Sequence, residues 1–247
     1  MCKVISGTSL EQNPRWMLDG RNVLIGPYYS ADEHDQHIGQ TIGSTDWLWS
    51  AADELRFDQE TLLLQSASFI VPEATLPSDI SLDIWKMVPQ VTGLLQLSHA
   101  QNFQLESTDF RWLDPQGSTL TCVTRNALNH VQQRLRLSIA KNIELLFVDE
   151  QLCGWSLLNP TLFIVDAWED STVDAEDSQF TALLHTYLSL LTNPYIERME
   201  DRDAPMLDNL RNLYAHIITT ANHTKRYNIL KAAVVEKIDL FYGLKLE

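Results

Sequence analysis

Basic residues are scarce in this chain of 247 residues: eighteen Lys and Arg stand against thirty-three Asp and Glu, for a formal charge of −15. Such a field repels phosphate backbones and anionic lipid surfaces, so neither nucleic acid nor a membrane is an expected partner. Cysteine is scarce as well. Cys2, Cys122 and Cys153 leave at least one thiol unpaired in any disulfide scheme within the chain, and their spacing fits no compact metal knuckle. Cys122 and Cys153 fall in strand-like runs and read as small apolar core groups, with a reducing cytoplasm as the expected setting. Nine Gly and nine Pro are too few for a disordered composition. No run of eighteen apolar residues occurs, which argues against a spanning helix. Residues 1–7 contain one Lys and lack the apolar stretch of a secretory signal.

Catalytic signatures are equally thin. Gly20, Gly39 and Gly43 are isolated and make no phosphate-binding fingerprint. Asp32, His34, Asp35 and His37 form the one His/acid cluster, but the two imidazoles lie three apart and lack the i,i+4 pairing of a zinc-peptidase helix. Residues 29–44 therefore read as a polar loop. His216 and His223 share one side of a helical pattern, and His185 lies in the preceding one, yet no nucleophile or carboxylate partner can be assigned to them. Gly117-Ser118 and Gly154-Trp155-Ser156 do not build the five-residue nucleophile elbow. No cofactor or metal is expected. An enzyme of unassigned reaction built on a loop or interhelix histidine stays as one alternative, and a structural or scaffold protein as another.

What is present is patterning. Hydrophobic residues make up 45% of the chain, which suits a folded globular protein. Up to residue 165 the runs are short, alternate with period two and stop at turn residues. Val23-Leu24-Ile25 ends at Gly26-Pro27. Residues 53–57 and 61–65 read as paired strands, continued by 68–71 until Pro72. Residues 80–88 suit a short helix or an irregular segment. The hairpin over 103–124 is the clearest, because Asp114-Pro115-Gln116-Gly117 combines a fixed φ with a residue that accepts a positive one. Leu135, Leu137 and Ile139 then alternate with Arg134, Arg136 and Ser138, and strands follow at 143–148, 152–155 and 162–165. With no helix-length spacer between strands, the sheet is expected to be largely antiparallel.

After residue 165 the period becomes helical. Phe180, Leu183, Leu184, Tyr187, Leu188 and Leu191 mark a first helix, capped by Ser178 and ended by Asn193-Pro194. A second begins near Pro205, and a third spans 227–241 with Gly243 as its stop. Its neighbours Glu236 and Lys237 are expected to diverge, without pairing. The expectation is thus an α+β protein, with 1–247 as a single composite domain. An antiparallel strand-rich N-terminal region (1–165) is followed by a helical region (166–247) whose three helices pack against it.

Charge separates these regions further. Residues 166–208 hold eleven carboxylates and two bases, whereas 209–247 hold three acids and six bases. Asp166, Glu169, Asp170, Asp174, Glu176 and Asp177 are the expected contacts of a basic protein partner, which dense carboxylates would steer into encounter. Trp47, Trp49 and Trp168, with Trp85, are candidate aromatic anchors, while Trp112 and Trp155 are assigned to packing. The resulting functional expectation is a non-catalytic acidic protein-binding module, such as an inhibitor or toxin-neutralising, immunity-type protein. Composition does not set its oligomeric state.

Overall fold

The computed structural model describes residues 2–44, 52–77, 80–128, 133–171, 175–220 and 224–245; Trp47, Trp49, Asp174 and His223 lie outside the described residues. The strands are β1 (Cys2–Ser6), β2 (Arg15–Met17), β3 (Asn22–Ile25), β4 (Thr41–Gly43), β5 (Glu54–Asp58), β6 (Leu64–Ile70), β7 (Gln90–Leu97), β8 (Phe110–Leu113), β9 (Thr119–Val123), β10 (Arg134–Ala140), β11 (Ile143–Val148), β12 (Gln151–Leu158) and β13 (Ile164–Val165). The helices are α1 (Ala31–Gln40), α2 (Ser178–Leu190), α3 (Asn193–Glu200), α4 (Ala204–Thr220) and α5 (Lys225–Tyr242). One sheet has the order β1-β7-β10-β11-β12-β9-β8, and the other β13-β2-β3-β6-β5-β4. This is an α+β protein.

Alternation explains the layering. Inward side chains of both sheets join α2, α4 and α5 in one contiguous apolar cluster. Trp155 on β12 stacks on Phe69 of β6, ring centroids 5.0 Å apart, and so bolts one sheet to the other. A buried aromatic of this size contributes about 4–6 kcal/mol of transfer free energy before its ordering cost. The outer face of the seven-stranded sheet carries a second cluster around Leu82, Trp85, Leu146 and Cys153. Trp85 is 4% exposed there, so it packs and is not a recognition anchor. Trp112 lies partly buried beside it. A third cluster, with Met17, Leu24, Tyr28 and Val165, covers the other sheet.

Several expectations need correction. Residues 29–44 are not a loop: they form α1 and then β4. Ser30 Oγ accepts the Glu33 N–H at 3.2 Å, while the Glu33 carboxylate accepts the Tyr29 N–H at 2.6 Å, close to a capping box. The helix buries only Ile38, so its apolar periodicity is faint. Pairing is mostly antiparallel, but β10 runs parallel to β7 and β13 parallel to β2. The 162–165 strand shrinks to Ile164–Val165 behind a 3-10 turn at Pro160–Leu162.

Among the described residues four helices follow β13, not three. Pro194 does not stop the chain; it occupies the first turn of α3, where a missing N–H costs nothing. Asp177, not Ser178, caps α2 by accepting from the N–H groups of Gln179 and Phe180. Lys237 Nζ does reach Glu236 Oε1, at 2.9 Å. Two buried arginines dock helices by their carbonyl ends. Arg111 donates to Leu188 O and Leu191 O at 2.6 Å, satisfying the end of α2. Arg56 does the same for α1 through Ile38 O and Thr41 O.

Candidate functional site

The parallel pairing of β13 with β2 sets Ile164 beside Trp16 and Val165 beside Met17. Both strands then stop, so Asp166 and the Leu18-Asp19 pair emerge at the same edge. Helix α5 packs across that edge. Its residues Ile229, Ala232, Ala233 and Glu236 fall at i, i+3, i+4 and i+7, the spacing of one helical face. Two of the four are alanines, and the space they leave is a cavity of about 220 Å3. Its walls are Leu18, Val165, Ile229, Ala232 and Ala233, and its polar groups are Asp19, Asp166 and Glu236. No base lines it. Glu236 is paired with Lys237, Nζ to Oε1 at 2.9 Å.

Loop 166–170 is held by buried chemistry. Arg15, 1% exposed, donates to Tyr28 O, to Gly26 O at 2.9 Å and to Trp168 O at 2.9 Å. Burial, only partly offset by nearby tyrosines and carboxylates, lowers the pKa of its guanidinium from the usual arginine range. Trp168, half-buried, lies 5.5 Å from His34 and 5.9 Å from Tyr28, ring to ring. Asp170 and Glu33 both act on Arg15, so the loop and the acidic start of α1 share one neighbourhood. Asp32, Glu33 and Asp35 are all exposed on α1.

The expected contacts divide. Asp166, Asp170 and Glu176 are exposed and form no ion pair among the described residues. Glu169 pairs with Lys225 Nζ at 2.7 Å, and that contact holds its carboxyl below the usual range. Asp177 is engaged internally. Burial would raise its pKa, but the Phe180 N–H, the Tyr227 hydroxyl and Arg226 bring it below the ordinary value. Asp174, Trp47 and Trp49 lie outside the described residues. Sequence reasoning missed Asp19 and Glu236. The spacing of Glu236 from Ile229 and Ala233 was the available signal for one; nothing local pointed to the other.

The histidine candidates pin structure. His37 Nε2 is 2.9 Å from Ser66 Oγ, a nucleophile-and-base distance, yet Ser66 is fully buried on β6. Burial, with His34 and Arg56 nearby, lowers the His37 pKa. His34 Nε2 reaches buried Glu54 at 3.3 Å. His185 contacts Asp114 O at 3.0 Å, and His216 is exposed on α4. Among the described residues no three His, Cys, Asp or Glu are arranged to hold a metal ion, and no helix is long and apolar enough to cross a membrane. No protein-family model matches this chain, and no curated protein or solved structure matches it either.

Proposed function

We propose that the protein is a non-catalytic binding module for a basic protein, which offers a lysine or arginine side chain to the cavity at Asp19, Asp166 and Glu236. The observation that carries this reading is the pairing of aliphatic walls with three carboxylates in one small hollow. A Lys or Arg side chain has the same division, an apolar stem under a charged head. At about 220 Å3 the hollow lies below the roughly 300–1,000 Å3 of ordinary small-molecule clefts, and matches one side chain better than a free metabolite. Asp170 and the exposed acids of α1 would add to the negative field that steers a positive surface toward it. Neutralising a basic enzyme by occupying its anion-binding positions is one concrete form of the same role.

The test begins with affinity capture of a basic partner and continues with charge reversal. Asp166→Lys with Glu236→Lys should weaken association by about two orders of magnitude, since hot-spot contacts are worth 2 kcal/mol or more. Asp35→Lys should act mainly on the association rate. Affinity that is unchanged by the double reversal, or unchanged from low to high salt, would remove the basis of the proposal.

A further inference from the structure

A larger cavity lies elsewhere, between the two sheets, and has a volume of about 860 Å3. Val4, Leu95, Leu135 and Phe147 line it from one sheet, Leu55 from the other, and Phe103 from the connection between β7 and β8. Its volume falls within the ordinary range for small-molecule sites, and its lining has their usual make-up, mostly apolar with a few polar groups. Its charged lining is Lys3 on β1 and, at the other end, Arg134, Asp149 and Glu150 around the exposed β11–β12 turn, which serves as the mouth.

Strand alternation sorts these four charges. Val4 and Leu135 pack against the core between the sheets, so their neighbours Lys3 and Arg134 belong to the opposite faces of β1 and β10. The Arg134 guanidinium in fact sits 5.8 Å from the Trp85 ring, which is in the outer cluster. Asp149 and Glu150 are left to set the charge of the mouth. They form the turn between β11 and β12 with φ of 47° and 68°, a pair of left-handed positions that favours Asn-Gly. Asp149 suits the first of these positions, as Asn or Asp does, whereas Glu150 stands where the turn favours Gly. Asp149 accepts the Gln133 N–H at 2.8 Å, which fixes the turn across the opening.

We infer that this cleft binds a cationic amphiphile, with an aliphatic chain among Val4, Leu55, Leu95, Leu135 and Phe147 and an amine or quaternary ammonium head at Asp149 and Glu150. The formal charge of −15 favours that head over a carboxylate. The site is separate from the cavity at Asp166 and stands or falls without it.

Titration calorimetry with three probes of equal chain length, decyltrimethylammonium, decanol and decanoate, below their micelle concentrations, tests both parts. The expected result is saturable one-site binding of decyltrimethylammonium, at least tenfold tighter than decanoate. Leu135→Trp, which fills the cleft, should cost at least tenfold in decyltrimethylammonium affinity. Val4→Trp at the edge strand provides the same obstruction should the first variant fail to fold, as judged by near-ultraviolet circular dichroism. Asp149→Asn with Glu150→Gln should erase the preference for the cation while leaving decanol binding intact. Absence of saturable binding, or binding indifferent to cleft filling by a folded variant, overturns the site. Equal affinity for decanoate overturns the assignment of its ligand class.

Discussion

In the strand-rich region Asp53, Glu54, Asp114 and Glu144 are each 4% exposed or less, whereas Asp166, Asp170 and Glu176 beyond it stand in solvent. The buried four have defined partners. Glu144 takes both arms of Arg136, at 2.7 and 2.8 Å, and Asp114 receives the Ser118 and Thr119 N–H groups together with Lys86. Glu54 meets His34, and Asp53 accepts from the Ile70 and Thr108 N–H groups. An isolated acid among apolar residues survives only where the fold supplies such partners, because an unpaired buried charge is costly. In the dense stretch Glu169, Asp177 and Asp203 find bases, while Asp166, Asp170 and Glu176 find none among the described residues and stay in water. Burial and partners, not spacing along the chain, therefore separate the two sets.

The sharpest way to break that contrast is Glu144→Ala. It leaves the partly buried Arg136 guanidinium without its carboxylate, and should cost about 3 kcal/mol of unfolding free energy in urea titration. A loss under 1 kcal/mol would erase the distinction between the two sets.

Asp53 sharpens it through pH. Burial pushes its pKa up to about 7, despite two backbone hydrogen bonds that favour the anion. The folded value thus exceeds the unfolded value of about 4, so the native state holds an extra proton between them. This group's contribution is most favourable below pH 4 and is lost as pH rises toward 7. Asp53→Asn removes that loss. From pH 4 to pH 8 the stability of the variant relative to the parent should improve by roughly 3 kcal/mol. A difference that is flat with pH would contradict the assignment.

The smallest effects belong to the dense stretch. Asp177→Ala removes the cap of α2 and should cost about 1 kcal/mol, whereas Asp170→Asn should stay within about 0.5 kcal/mol. Thermal or chemical unfolding of the pair would show whether position within the cluster, or burial, decides.

Much of the fold was legible where one short signal dominates. Asp114-Pro115-Gln116-Gly117 makes its turn as expected, with Gly117 at φ 69°. The β10–β11 pairing follows from the alternation around Leu135 and Leu137, and the wide apolar stripes located α2, α4 and α5. Helix α1 escaped notice because a single buried residue leaves no stripe, although Ser30 and Glu33 carried its start signal. Pro194 misled because the same residue that stops one helix can open the next. The parallel pairings join segments too distant for any local pattern. The candidate site was half legible for the same reason. Asp166 stood out as an acid in an acidic run, but Asp19 and Glu236 become its neighbours only through β2, β13 and α5.

Chemical-shift mapping with N-acetyl-lysine methylamide probes the Asp19–Asp166–Glu236 cavity most directly, with the norleucine analogue as the uncharged control. The account predicts saturable shifts at the amides of Gly20, Asp166, Ala232 and Ala233, weakened by salt and by Asp166→Asn, and none with norleucine. Shifts scattered over the surface, or equal for both probes, would contradict it.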